Sequence, residues 1–123
     1  MNSGIYIVRL LNDEPMPVTR DPRYVNICAK VNKNNIKVGK ANDFNSRHQN
    51  YIKDFDEENV IFEPIAALED IKTAERVILR ALKQCRKLSP KGGKLEWLEG
   101  ISYEKAKAVA LQALSAEGIK YNA

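Results

Sequence analysis

Apolar and β-branched residues crowd the stretch from Gly4 to Leu11, and that pattern predicts a strand. Pro15, Pro17 and Pro22 then break it, so Asn12 to Arg23 reads as a loop or irregular extended segment. Tyr24 to Val31 predicts a second strand, and Asn32-Lys33-Asn34-Asn35 supplies turn residues. Ile36 to Gly39 returns as a partner, which makes Tyr24 to Gly39 a hairpin. The apolar period then becomes helical. Phe44, His48, Ile52 and Phe55 form one stripe, with Asn42 or Asp43 as the cap. Val60 to Leu68 predicts a strand. A helix capped by Asp70 is expected to run to about Arg86, with Ile71, Ala74, Ile78, Leu79 and Leu82 inward. Ser89 to Lys94 is a loop, Leu95 to Leu98 a short strand, and a helix capped by Ser102 spans about 102–117 and stops near Gly118. The sum is a single domain over residues 1–123 of α/β (α+β) class. Its sheet is small, mostly antiparallel, of three to four strands, and flanked by helices.

Composition narrows the function classes. Charged residues make up 29% of the 123 positions, the pattern of a soluble globular chain. No apolar run approaches a membrane span, and no basic region precedes an apolar stretch at Met1–Tyr6, so neither a membrane nor a secretory signal is expected. Cys28 and Cys85 lack CxxC spacing and there is one histidine, which argues against zinc and for a reduced, cytoplasmic pair. The net charge of +4 becomes informative through its distribution. Arg76, Arg80, Lys83, Arg86, Lys87, Lys91 and Lys94 follow one another without an intervening acid. A second basic segment runs from Lys30 to Lys53. A charge run often marks only a solvated face. Two such runs around an acidic Asp54–Glu58 turn point to DNA, with Lys37 and the seven later cations as backbone contacts.

Chemistry concentrates in Ile36-Lys37-Val38-Gly39-Lys40-Ala41 and the helix behind it. A strand runs into a glycine, a lysine follows, and Arg47 and Tyr51 share a helix face at i and i+4. Arginine can grip a phosphate with two parallel hydrogen bonds, and Lys40 lies near a helix N-terminus that favours anions. Glu75 falls on or beside the apolar stripe of its helix. Either it reaches water past Ala74, or a cation offsets its lost solvation. A lone carboxylate suits Mg2+ or Mn2+, since magnesium keeps several waters and one or two carboxylates. Tyr6 could act as a base only if cations lowered its pKa. His48 and Trp97 read as core residues rather than as a base and a stacking platform.

In this order, Gly4-Ile5-Tyr6, Lys37-Val38-Gly39, Lys40, Arg47, Tyr51 and Glu75 resemble the GIY-YIG nuclease superfamily. The chain is similar to small phage and bacterial members near its DNA-binding subgroup. The resemblance implies a metal-dependent endonuclease that hydrolyses DNA phosphodiester bonds. Tyr6, Lys40, Arg47, Tyr51 and Glu75 would form its catalytic set, with Glu75 as the metal ligand, in the cytoplasm of a bacterial or phage-infected cell. A protein partner is compatible with it. Lys37 stands where the second-motif tyrosine falls, and the spacing from Tyr6 to Lys37 is much longer than the family's. Either Tyr6 or Tyr24 then enters the site. The alternative is a catalytically inactive, nuclease-like DNA-binding or regulatory protein.

Overall fold

The computed structural model describes residues 1–123. Its elements are β1 (Gly4–Leu10), β2 (Met16–Pro17), β3 (Lys30–Val31), β4 (Asn35–Ala41), α1 (Phe44–Phe55), β5 (Val60–Ala67), α2 (Ile71–Ala81), β6 (Arg86–Leu88), β7 (Lys94–Glu99) and α3 (Tyr103–Ala116). Five strands form one antiparallel sheet in the order β5-β1-β4-β7-β6, and β2 and β3 form a small separate ribbon. The expected α+β architecture is therefore present, with one more strand in the main sheet.

β1 lies inside the sheet between β5 and β4, and both its faces are apolar. Ile5 and Ile7 join the cluster with Ala74, Ile78, Ala106 and Leu114 under α2 and α3. Tyr6, Val8 and Leu10 point the other way, into a cluster with Phe44, Tyr51, Phe55 and Trp97 under α1. The strand period of two thus assigns alternate residues to opposite layers. Asp43, one of the two caps expected for α1, accepts from Ser46 N, and the expected caps Asp70 and Ser102 accept from Thr73 N and Lys105 N.

Four expectations are corrected. Tyr24 to Val31 is not a strand. Val25 N donates to Asp21 O and Cys28 N to Tyr24 O, which closes a helical turn, and only Lys30–Val31 is extended. The hairpin over Tyr24 to Gly39 is absent as well, because β4 pairs with β1 and β7. The helix after Asp70 ends at Ala81. A 3-10 turn follows over Lys83–Cys85, and Arg86–Leu88 pairs with β7 as an edge strand. Fourth, the inward residue of α1 is Tyr51 rather than Ile52, which is only half-buried. The last helix, Tyr103–Ala116, agrees with its expected bounds. No helix is long and apolar enough to cross a membrane.

Candidate nucleic-acid interface

β4 and β7 are paired from Asn35↔Glu99 to Lys37↔Trp97 and no further. Past that point a cleft of about 410 Å³ opens between α1, the β6–β7 hairpin and the segment after β2. Arg47 and Asp54 line it from α1, Lys37 from β4, and Arg86, Lys94 and Glu96 from the hairpin. Four cations on three elements thus face two carboxylates, an excess of positive charge in a concave surface.

Beneath the cations lies a tyrosine pair. The Tyr6 and Tyr51 hydroxyls are 2.5 Å apart and both side chains are buried. Tyr6 faces Gly39 across the β1–β4 ladder, and its ring lies over that glycine. A Cβ on Gly39 would collide with the Tyr6 hydroxyl and Cζ, so the absence of a side chain there admits the ring. Phe62 stacks on Tyr6 at 4.7 Å and His48 stacks in turn on Phe62 at 4.9 Å. His48 therefore packs in an aromatic column, and Trp97 is a buried neighbour of Phe55.

Burial pushes the Tyr6 hydroxyl up to about 12, against the opposing pull of the Tyr51 hydrogen bond and the Arg47 charge. Burial raises Tyr51 as well, and the Tyr6 hydroxyl adds to the rise. Both hydroxyls are neutral near pH 7, so they act as hydrogen-bonding groups and not as ready bases. Lys37 moves the opposite way: burial lowers its pKa, Glu96 opposes the shift and Arg47 assists it. Its Nζ is 3.8 Å from Glu96 and 5.3 Å from the centre of the Tyr51 ring.

Lys40 and Glu75 stand apart from that group. By strand alternation Lys40 projects from β4 toward the α2 side, whereas Lys37 and Gly39 face α1. Lys40 Nζ donates to Glu75 Oε1 at 2.9 Å, and the Glu75 side chain is 10% exposed. This cation is what offsets the lost solvation of Glu75. The carboxylate still bears electrostatically on Tyr6 and Lys37, so the pair borders the same region of the sheet. As for a divalent cation, no three His, Cys, Asp or Glu residues gather anywhere in the chain. A single carboxylate with waters is a ligand set that magnesium accepts, and a cation there would share Glu75 with the Lys40 ammonium on Oε1.

The structure brings Tyr6, Lys37, Arg47, Tyr51, Arg86 and Lys94 to one place. Tyr24, the other tyrosine considered for it, is exposed on the turn over Asp21–Cys28. Arg76 and Arg80 lie on exposed positions of α2 and Lys83 on the following turn, outside the cleft. Arg86 spends Nε and Nη2 on the Leu95 and Lys94 carbonyls, and Lys87 pairs with Glu99. Lys91 is exposed at the hairpin tip. Sequence reasoning missed Glu96 and Asp54 as cleft residues. The inward alternation of Leu95 and Trp97 was a signal only for where Glu96 does not point.

Comparison with known families points this small α+β domain, with its basic cleft over a buried tyrosine pair, to the nuclease-like, DNA-binding class. The chain belongs to the T5orf172 domain family, whose model matches residues 23–113. This corrects the GIY-YIG expectation: the family found is a different one, related to it as a nuclease-like domain. Tyr6, on which the first motif of that resemblance rests, lies outside the matched residues. No curated protein and no solved structure matches the chain.

Proposed function

We propose that the protein binds DNA through this cleft, gripping the phosphate backbone with Lys37, Arg47, Arg86 and Lys94. The convergence of these four side chains from α1, β4 and the β6–β7 hairpin carries the reading. Phosphate contacts of this kind position a protein without reading sequence, and they make binding salt-dependent. The experiment is a salt titration of affinity for a labelled duplex. Arg47→Ala should weaken binding to every sequence alike and reduce the slope of log K against log salt by about 0.9. Binding that is indifferent to salt, or to Arg47, sinks the proposal.

Metal-dependent hydrolysis of the phosphodiester is the second reading. Its supporting observation is the nearly buried Glu75 carboxylate, within electrostatic reach of Tyr6 and Lys37, with Oε2 unbonded. Arg47 would neutralise charge developing on the phosphate. Glu75 would be the protein ligand for Mg2+ or Mn2+, with waters and the DNA phosphate completing the set. Incubating supercoiled plasmid and labelled oligonucleotides with each cation tests it. Intact DNA in every arm rejects hydrolysis and leaves binding as the function.

A further inference from the structure

We propose that the turn over Asp21–Cys28 and the tip of the β6–β7 hairpin form a base-stacking edge, selecting DNA with unpaired bases beside the gripped backbone. The inference rests on the DNA-binding reading and names its substrate class.

Three of the five exposed large hydrophobic side chains lie on these two segments: Tyr24 at 49% exposure and Ile27 at 62% on the turn, and Leu88 at 56% on β6. Ile27 and Cys28 follow Tyr24 by three and four residues in a turn closed by hydrogen bonds to Tyr24 O, so all three share its outer side. Cys28 and Leu88 then line one hollow of about 450 Å³, with Pro15, Lys30, Lys87 and Pro90 around it. The Arg23 guanidinium lies 5.2 Å from the centre of the Tyr24 ring, which stiffens an aromatic that is still half open to solvent. The edge is also continuous with the cleft. Val18 lines the cleft and donates its N–H to Ala29 O, beside the hollow, while Arg86 and Lys94 line the cleft at the root of the hairpin tip.

Charge decides the occupant. Lys30 and Lys87 line the hollow, Lys87 with its Nζ 3.0 Å from Glu99 outside the wall, and the exposed Lys91 and Lys94 follow along the tip. An aromatic and two aliphatic side chains set among cations match an unstacked base attached to a phosphate chain. In an intact duplex the base faces are covered by their neighbours, so such an edge gains little from paired DNA. Unpaired bases in a gap, flap or single strand offer the face it needs.

The test compares, by fluorescence anisotropy, a perfect duplex, the same duplex with a short single-stranded gap, and the single strand. Wild type should bind the gapped and single-stranded forms roughly five- to tenfold tighter than the duplex, the gain expected from one stacked base. Tyr24→Ala with Leu88→Ser should bring the three affinities within about twofold, an expectation from the same stacking contribution. Tyr24→Phe should keep the preference, and Arg47→Ala should weaken all three substrates together. Equal wild-type affinity for gapped and intact duplex overturns the inference while leaving DNA binding standing. No binding to any DNA overturns the function on which it rests. If Tyr24→Ala with Leu88→Ser changes self-association in sedimentation but not DNA preference, the edge is a protein contact and the inference fails.

Discussion

The Tyr6 and Tyr51 hydroxyls satisfy each other at 2.5 Å in a part of the core that has no other hydrogen-bond partner for either. One comes from β1 and the other from α1, so their bond ties the helix to the sheet. Removing either hydroxyl leaves the other buried and unpaired, which costs about 1–3 kcal/mol. Removing both leaves a ring-on-ring contact with nothing unsatisfied. Tyr6→Phe and Tyr51→Phe should each lower the free energy of unfolding in urea by that amount. The double variant should be no worse than the weaker single one. Additive losses would mean that the hydroxyls act independently.

The same pair gives stability a defined alkaline limit. The folded pKa of Tyr6, about 12, exceeds the unfolded value near 10, so the folded state holds its proton longer. That contribution is fully present below pH 10 and is lost as pH rises through about 12. Lys37 has the opposite sign. Its folded pKa is lowered, so the unfolded state binds more protons and stability rises with pH in the window below 10.5. Thermal unfolding across pH 8 to 12 should show the fall above pH 10 become shallower in Tyr6→Phe. In Lys37→Met the rise below 10.5 should disappear. An unchanged Tyr6→Phe profile would contradict the burial of that hydroxyl.

Gly39 tests the packing of the ring. Its need is for space alone, because an added Cβ would collide with the Tyr6 hydroxyl and Cζ. Gly39→Ala should therefore destabilise by about 1–3 kcal/mol, as overpacking does. Tyr6→Phe should not rescue it, since Cζ remains. Tyr6→Leu in the Gly39→Ala background should recover part of the loss. Denaturant midpoints of the three variants decide it, and a Gly39→Ala protein as stable as wild type would show that the ring has room to move.

Local chemistry explains which features were legible in the sequence. Helix caps at Asp43, Asp70 and Ser102 are short-range, and each was readable within a few residues. The segment Lys37 to Tyr51 was likewise readable as a cluster, because strand end and helix start are neighbours in sequence. Pairing was not readable. β1 reaches β4 over an intervening stretch of loop and turn, and nothing local in Tyr24–Val31 shows that Asp21 will draw it into a helical turn. Arg86–Leu88 is ambiguous in the same way, since only the β7 ladder makes it a strand. Lys40 and Lys37 look equivalent along the chain, yet the strand period sends them to opposite sides of the sheet. That alternation divides the expected site residues between the cleft and the Glu75 pair.

Lys40 and Glu75 should respond unequally to substitution. Glu75 is 10% exposed and Lys40 36%, so the carboxylate depends on the ammonium more than the reverse. Lys40→Ala leaves a nearly buried negative charge unpaired. Its cost should be about 1–3 kcal/mol, less than for a fully buried pair because solvent reaches the lysine. Glu75→Gln frees a lysine that water can solvate, and should cost about 1 kcal/mol or less. Lys40→Met with Glu75→Leu removes both charges and should come close to wild type. The same variants report on cations. In wild type the ammonium already holds Oε1, so millimolar Mg2+ should leave the melting temperature unchanged. In Lys40→Ala the carboxylate is released, and Mg2+ should raise the melting temperature by simple linkage. The rise should be absent when Glu75→Gln is added. A wild-type protein stabilised by Mg2+ through Glu75 would show that Lys40 yields readily, and would favour the hydrolytic reading over binding alone.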